Sequence, residues 1–415
     1  TDCAVCTDNY GLGYAHKCNS CVGNNKTRAI GGASVVIIVS LAVVTLVISR
    51  LVAVVDVAGG PNPLGPWGRR MARGRALVRK TFPLNAVKIV VVVWQIVTQY
   101  TRVAGVEYPG AYNDFLAVID LVNLDLGFIL SFACIYDTTF YDRLLIATLG
   151  PIATLAALVC IYWIARRRNG HSEEAMSRVK HMHLSVALFV MFVVYSTVSY
   201  TIFQTFACEP MDDENSYLRA DYSITCYTAE HRAYEGYAGV MVVVYPVGIP
   251  AVFGWWLFKH RHALASPERE SIPEVQSCSD LWQPYKRDRF YYEAMECFRR
   301  VALTGLAVFI YPDSSAQIAI VLLLSAIFMV ISEILAPFNQ FLEMWLYRTG
   351  HYVVFASMYL SLLLRVDVSD EKDQSQAVFS GVVVIAHAAM LLIVVVQGLL
   401  MFFGWSDFME APSIL

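Results

Sequence analysis

The chain has 415 residues, of which 57% are hydrophobic and only 16% are charged, and its formal net charge is −3. Soluble globular domains carry roughly 25% charged residues. This deficit, together with repeated long apolar runs, excludes an ordinary soluble domain and predicts an all-α integral membrane protein embedded in a lipid bilayer. The chain begins at Thr1 with no initiator Met and no signal peptide. This favours a processed product or part of a longer chain.

Residues 1–29 contain four cysteines with the spacing C-x2-C-x11-C-x2-C. Four thiolates at this spacing could bind zinc, or they could form two disulfides in a small extracellular module. The glycosylation sequon at Asn25 favours the extracellular side, and we therefore expect disulfides. The spacing does not fix the pairing; the pairs we predict are Cys3 with Cys18 and Cys6 with Cys21.

The first predicted transmembrane segment covers residues 33–57, and a strongly basic linker follows it. By the positive-inside rule this linker is cytoplasmic, so the cysteine-rich module lies outside the cell. The linker could also contact anionic lipid headgroups, or it could serve only to set the topology. Its basic residues are Arg69, Arg70, Arg73, Arg75, Arg79 and Lys80.

The polytopic domain is predicted to cover residues 30–404. Each of its apolar runs is about 20 residues long, enough to cross a bilayer as a helix. We expect about nine transmembrane helices, with the N-terminus outside and the tail 405–415 in the cytoplasm. The eight spans after the first are predicted near 84–106, 144–165, 184–206, 237–258, 291–311, 317–337, 345–364 and 377–403.

The stretch 107–142 is only partly apolar, with Asp120, Asn123 and Asp125 in its middle. If it crossed the membrane, the basic residues after the next helix would fall outside, against the positive-inside rule. We therefore expect a non-spanning element on the outer side.

Two connecting loops are assigned by the same topology. The loop 208–234 is predicted to be extracellular, which makes a disulfide between Cys208 and Cys226 plausible. The loop 259–290 is predicted to be cytoplasmic.

Polar residues interrupt two of the predicted spans. Gln95, Gln99 and Arg102 are spaced four and three residues apart, so they share one helix face that should point into the bundle. The span 237–258 is broken by Pro246, Gly248 and Pro250. Broken helices mark substrate or ion sites in transporters, although proline is also common in membrane helices in general.

Four charged residues are the strongest candidates for a pathway or for structural ion pairs. Glu296 and Arg300 are four residues apart, a spacing that favours a helical ion pair. Glu333 lies inside the next predicted span, and its expected partner is Arg299 or Arg300. An intramembrane carboxylate is a functional hypothesis by default, but a pair that only holds two helices together is an equal alternative.

Motifs of catalysis and of nucleotide binding are absent from the sequence. There is no P-loop, no dinucleotide fingerprint, no HExxH and no nucleophile elbow. We therefore expect no enzymatic activity, no cofactor, no metal and no nucleic-acid partner.

Several stretches together resemble one family. They are CAVCTDNYGLGYAHKCNSC, NAVKIVVVVWQIVTQY, TFACEPMDDENSYLRADYSITC, VVVYPVGIP, LWQPYKRDRFYYEAMECFRRVALTGLAVFI, and AQIAIVLLLSAIF followed by LAPF. The chain resembles large polytopic proteins of algae, dinoflagellates and oomycetes. In these, EGF-like or ephrin-receptor-like modules precede a membrane domain of transient-receptor-potential-like or polycystin-like character. The resemblance implies an ion-channel-like protein, and this is an analogy at the level of fold.

Three functions remain open at this point. The leading hypothesis is an ion-channel-like protein of the plasma or flagellar membrane, mechanically gated and homo-oligomeric. The sequence shows no TVGYG-type carbonyl loop and no acidic ring. The alternative is therefore a multi-pass anchor that joins an extracellular fibrous or flagellar assembly through its cysteine-rich module. A transporter or lipid scramblase built on the broken helix is a third hypothesis.

Overall fold

The computed structural model is predominantly helical. It describes residues 10–12, 18–20, 83–106, 108–123, 139–169, 173–211, 215–276, 278–312, 314–366 and 372–403. The predicted span 33–57, Asn25, the tail 405–415 and three of the four N-terminal cysteines lie outside these residues. Within residues 1–29 the structure describes one antiparallel hairpin, in which β1 (Tyr10–Leu12) pairs with β2 (Cys18–Ser20).

Six helical stretches in the described part of the chain are long and apolar enough to cross a membrane. Their outward faces carry large apolar side chains; Ile334, for example, is 74% exposed. Apolar surface on this scale is costly in water and favourable in lipid. The protein is therefore an integral membrane protein. The six stretches are Leu84–Ala104, Phe140–Ile164, His183–Gln204, Ala229–Lys259, Ser315–Leu335 and Ser380–Met401.

The chain divides into two compact units, and the first includes residues 123–249. Its long helices are α3 (Phe140–Asn169) and α4 (Glu173–Gln204), which pack against each other. The helix α5 (Ala229–Val242) follows a three-stranded antiparallel sheet. The strands of this sheet are β3 (Cys208–Pro210), β4 (Ser216–Leu218) and β5 (Asp221–Thr225).

A side chain of this sheet also binds the first turn of a helix. The Asp221 carboxylate accepts a hydrogen bond of 3.0 Å from the backbone N–H of Phe140, at the start of α3. The first N–H groups of a helix lack intrahelical partners, so this contact satisfies one of them. A disulfide between Cys208 and Cys226, the pair suggested by the sequence, joins β3 to the residue that follows β5.

The predicted helix break is a π-helical turn over Val243–Val247, between α5 and α6 (Gly248–Lys259). Pro246 lies inside this turn and lacks a backbone donor, so the regular hydrogen-bond ladder cannot continue through it. Gly248 is required by the geometry, because a Cβ there would lie 2.8 Å from the carbonyl oxygen of Val243.

The second unit comprises residues 60–122 and 250–415. Its central helix is α11 (Phe341–Val366), which packs against α1 (Leu84–Ala104), α10 (Ser315–Leu335) and α12 (Lys372–Phe403). The shorter α9 (Tyr292–Leu303) packs against α1 and α10. Between α6 and α9 lie α7 (Arg261–Ala265), α8 (Pro273–Gln276) and several 3-10 turns.

The partly apolar stretch 107–142 contains a short helix, α2 (Gly110–Ile119), followed by a 3-10 turn to Asn123. Ten residues of helix extend only about 15 Å, half the thickness of the hydrocarbon core. The helix is tied to α11, because the Tyr112 hydroxyl donates to Ser357 Oγ at 3.3 Å. The described part of this stretch thus forms a helix too short to span, and residues 124–138 lie outside the description.

Among the predicted spans that fall on described residues, one differs from the structure and another is a helix outside the set of six. The predicted span 291–311 is the 12-residue helix α9, which ends at Leu303, followed by a 3-10 turn over Leu306–Phe309. The span predicted near 345–364 is the helix α11. Its polar residues lower its hydropathy, so it is not one of the six stretches named above. The structure therefore agrees with the prediction of a helical membrane protein, but it does not confirm nine membrane spans.

Candidate functional site

The candidate site is a cluster of charged side chains buried in the second unit, and α9 supplies most of it. Its sequence YEAMECFRRVAL places Glu293, Glu296 and Arg300 at intervals of three and four residues, and Arg299 lies beside them. Such spacing puts these side chains on one face of a helix. All four are buried, and Glu293 and Arg300 have no exposed surface. In most soluble amphipathic helices the buried face is apolar, whereas here it is charged.

Glu296 is the centre of the cluster, and its closest partner is Arg299. The Arg299 guanidinium donates through Nε to Oε2 at 3.0 Å and through Nη2 to Oε1 at 2.5 Å. This two-pronged contact is the strongest geometry available to a carboxylate and an arginine. Arg300, the partner predicted from the spacing of four, lies farther away, with Nε 3.9 Å from Oε1. The predicted ion pair between Glu296 and Arg300 is confirmed, and Arg299 is a closer partner of the same carboxylate.

Two tyrosines complete the surroundings of Glu296. The Tyr347 hydroxyl on α11 donates to Oε2 at 2.7 Å. The hydroxyl groups of Tyr347 and Tyr292 lie 3.0 Å apart and form a hydrogen bond. Glu296 thus connects α9 to α11. Sequence reasoning missed Tyr347, because a tyrosine in an apolar run is usually a packing residue; its spacing of four from Glu343 and from His351 was the available signal.

A second ion pair connects α9 to α1. Lys88 Nζ donates to Glu293 Oε2 at 2.8 Å, and the Tyr285 hydroxyl donates to the same oxygen at 2.8 Å. Tyr285 belongs to the loop before α9. Burial, followed by the charges of Glu293 and Glu296, raises the pKa of the Tyr285 hydroxyl well above its ordinary value. The hydroxyl therefore keeps its proton and remains a donor to Glu293.

A third carboxyl group, that of Glu343, lies close to the two ion pairs. Glu343, which is only 2% exposed, is hydrogen-bonded to Asn85 and lies near Lys88. Buried charges are tolerated only when they are paired, because taking an ion out of water costs several kcal/mol. The cluster contains the carboxyl groups of Glu293, Glu296 and Glu343 and the cations Lys88, Arg299 and Arg300, and its closest ion pairs join Glu293 to Lys88 and Glu296 to Arg299.

A cavity of about 20 Å³ lies beside the cluster, lined by residues of α1, α9, α11 and the loop before α9. This volume is close to the roughly 10–15 Å³ that one water molecule needs. Two buried nitrogen atoms of lining residues, Nη1 of Arg299 and Nε2 of His351, have no hydrogen-bond partner in the structure. The cavity is thus small, polar on one side and adjacent to Glu296.

The polar face predicted on α1 is buried as expected, but its residues contact the 3-10 turn after α2 and not the charged cluster. Gln95 and Gln99 are at most 1% exposed, and Gln95 Nε2 donates to the carbonyl of Val122 at 3.2 Å. Arg102 forms an ion pair with Asp120, in the 3-10 turn after α2. No partner of Arg102 was predicted from the sequence.

Glu333 is not part of the cluster. Its carboxylate pairs with Arg348 of α11 at 2.8 Å. The predicted pairing of Glu333 with Arg299 or Arg300 is therefore wrong. Arg299 is occupied by Glu296 and both arginines are buried, whereas the Glu333 and Arg348 side chains are 37% and 28% exposed.

The polar groups at the helix break serve helix packing. The Tyr195 hydroxyl on α4 donates to the carbonyl oxygen of Pro246 at 3.3 Å. The Tyr245 hydroxyl donates to the carbonyl oxygen of Thr148 on α3 at 2.6 Å. A carbonyl freed by a proline in a membrane helix needs a protein or water partner. Here a side chain supplies that partner, with no ligand needed.

Comparison of the chain with known protein families, with curated proteins and with solved structures finds no match.

Proposed function

We propose that the protein is an ion-channel-like component of the plasma or flagellar membrane, with nine spans, an extracellular N-terminus and a homo-oligomeric pore. The observation that supports the proposal is the buried charged cluster that joins α1, α9 and α11 around Glu296. The resemblance to transient-receptor-potential-like and polycystin-like proteins agrees with it.

Buried ion pairs are not the most stabilising contacts with which three helices could be held together. Replacing a buried ion pair by apolar residues of similar volume is often neutral or stabilising by about 1–4 kcal/mol. A membrane bundle that only had to be stable would therefore gain nothing from Glu296 and Arg299. Ionisable groups inside membrane proteins mark ion pathways, proton relays and voltage sensors, so such a group is a functional hypothesis by default.

In the channel proposal, gating changes two contacts of the cluster. Lys88 and Glu293 connect α1 to α9, while Glu296 and Tyr347 connect α9 to α11. In the proposal these two connections hold the closed state, and membrane tension separates them. Because packed interfaces have discrete arrangements, such a movement switches between two states rather than deforming continuously.

The alternative is a multi-pass anchor for an extracellular assembly bound at residues 1–29. One observation favours it: the cavity beside the cluster has room for about one water molecule, so this closed arrangement offers no ion-sized path there. In the channel proposal the path lies instead on the axis of an oligomer.

The two functions are distinguished by recordings from purified protein in planar bilayers, under voltage and under applied tension. The test variant is Tyr347→Phe, which removes the 2.7 Å hydrogen bond to Glu296 and leaves the charges unchanged. The matched control is Tyr352→Phe, on the same helix but exposed. The channel proposal expects unitary currents that open at lower tension in Tyr347→Phe and are unchanged in Tyr352→Phe.

Silence of the folded wild-type protein under both voltage and tension would reject the channel and favour the anchor. The anchor predicts instead that a peptide of residues 1–29, oxidised and immobilised, retains components of the cell surface. Currents that are equally sensitive to tension in all three proteins would keep the channel but remove the cluster from its gating.

A further inference from the structure

The cavity beside Glu296 is lined by two buried side chains with unused hydrogen-bonding atoms. Its volume is about 20 Å³, and Arg299 and His351 both belong to its lining. These two residues are 3% and 2% exposed. Nη1 of Arg299 and Nε2 of His351 have no hydrogen-bond partner among the described residues. Because a guanidinium group only donates and a buried donor without a partner costs free energy, the cavity suits an occupant that accepts hydrogen bonds.

The contacts of Arg299 determine which of its donors remains for such an occupant. Nε and Nη2 bind the carboxylate of Glu296 at 3.0 and 2.5 Å, so Nη1 is the part of the guanidinium group that this pair does not use. The guanidinium carbon lies 5.7 Å from the centre of the Tyr347 ring. The His351 ring packs edge-on against the same ring, with centroids 4.7 Å apart. Tyr347 thus orients both side chains beside the cavity.

The charges around the cavity favour an anion. Among the described residues of its lining three are cationic, Lys88, Arg299 and Arg300, and one is acidic, Glu296. Lys88 is paired with Glu293, whereas both arginines approach the same oxygen of Glu296, at 2.5 and 3.9 Å. Both oxygens of that carboxylate already accept hydrogen bonds from Arg299. A cleft with an excess of one sign of charge raises the local concentration of the opposite ion.

We propose that this cavity is a binding site for a single chloride ion. The ion accepts hydrogen bonds from Nη1 of Arg299 and from Nε2 of His351, in the tautomer that carries its proton on Nε2. The volume suits one small monatomic ion, only slightly larger than a water molecule, and excludes phosphate and carboxylate ligands. Ile89, Val92 and Val93 form apolar walls, which strengthen the attraction between the ion and the arginine by keeping water away.

A chloride ion in this position would connect two helices, because Arg299 belongs to α9 and His351 to α11. An ion that binds only the folded protein stabilises it by mass action. The site depends on the cavity and its lining alone, so it stands whether or not the protein conducts ions.

The test is a chloride titration of the full chain in nanodiscs, with sodium gluconate replacing sodium chloride at constant ionic strength. Gluconate is too large for the cavity and serves as the non-binding reference. Equilibrium dialysis with radioactive chloride should show one saturable site per chain. The melting temperature should rise with the logarithm of the chloride concentration once this exceeds the dissociation constant.

Two pairs of variants assign the site. His351→Leu removes one donor to a charged ligand and should weaken chloride binding by about 10- to 100-fold, whereas His351→Gln keeps an N–H group and should lose less. Val92→Ile adds a methylene group to the wall of the cavity and should weaken binding at least as much as His351→Leu does. The control is Val90→Ile, on the same helix and equally buried but outside the lining, which should bind chloride as wild type does.

The melting temperature of each variant in gluconate shows whether it folds, and the two valine variants carry the same added volume. Absence of saturable chloride binding to the folded wild type would mean that only water occupies the cavity, and it would overturn the proposal. Equal chloride affinity in wild type, Val92→Ile and His351→Leu would also overturn it, because the ion would then bind elsewhere. These outcomes are read without any recording of current, so they are distinct from failure of the channel proposal.

Discussion

Removing the charge of Glu296 should destabilise the protein more than removing the charge of any exposed residue. Glu296→Gln keeps the size of the side chain but leaves Arg299 without its two-pronged partner in a site where it is only 3% exposed. Breaking a buried pair in this way costs about 3–5 kcal/mol. The matched control is Glu333→Gln, which breaks the partly exposed pair with Arg348 and should cost at most about 1 kcal/mol.

The cost of Glu296→Gln should come from the charge left behind and not from lost packing. The double variant Glu296→Leu with Arg299→Met removes both charges of the two-pronged pair. It should be neutral or up to about 4 kcal/mol more stable than wild type.

The measurement is the free energy of unfolding, from titration of detergent-solubilised protein with SDS and followed by helical circular dichroism. The reasoning fails if Glu296→Gln costs less than about 1 kcal/mol, the level expected of an exposed pair. It also fails if the double variant is as unstable as the single one, because packing rather than charge would then determine the loss.

Two further predictions concern glycines at close contacts. Gly350→Ala should cost about 1–3 kcal/mol by overpacking, because its Cβ would lie 2.6 Å from Cγ2 of Val93; Val93→Ala in the same chain should restore most of the loss, and a thermal melt of both measures it. Gly248→Ala should lower the melting temperature, because its Cβ would meet the backbone carbonyl of Val243; Gly239→Ala, with open space around its Cβ, is the control, and equal melting temperatures would contradict the reasoning.

The sequence predicts membrane helices well, because length and hydropathy are properties of each segment alone. The run Ser315–Leu335 is an example: it differs from the predicted 317–337 by two residues at each end. The predicted span 291–311 failed because its first half is charged and its helix ends at Leu303. Hydropathy averaged over such a segment conceals a short charged helix followed by a 3-10 turn.

The partners of charged residues could not be predicted to the same degree. Arg102 pairs with Asp120 only because the chain turns back through α2, and Glu333 meets Arg348 only because α10 and α11 form a hairpin. The position of His231 beside Cys208 and Cys226 was not predicted either, because only the fold brings the first turn of α5 to that disulfide. Spacing predicts partners within one helix, whereas these partners depend on tertiary structure.

The loop before α9 contributes to the buried cluster, as the helices do. Tyr285 binds Glu293 through its hydroxyl, and its carbonyl accepts a 2.8 Å hydrogen bond from Arg269. Arg269 also stacks over the ring of Trp282, with the guanidinium carbon 4.7 Å from the ring centroid. Burial, followed by the charge of Arg287, lowers the pKa of Arg269 from its ordinary value, although a guanidinium remains protonated at physiological pH.

The same loop is joined to the turn between α10 and α11. The N–H of Lys286 donates to the carbonyl of Pro337 at 2.8 Å, and Tyr285 forms an antiparallel bridge with Phe338. A movement of that turn would therefore displace Tyr285 and, through it, Glu293 and the ion pair with Lys88. Tyr285 and Lys286 thus connect the turn between α10 and α11 to Glu293 and to its ion pair with Lys88.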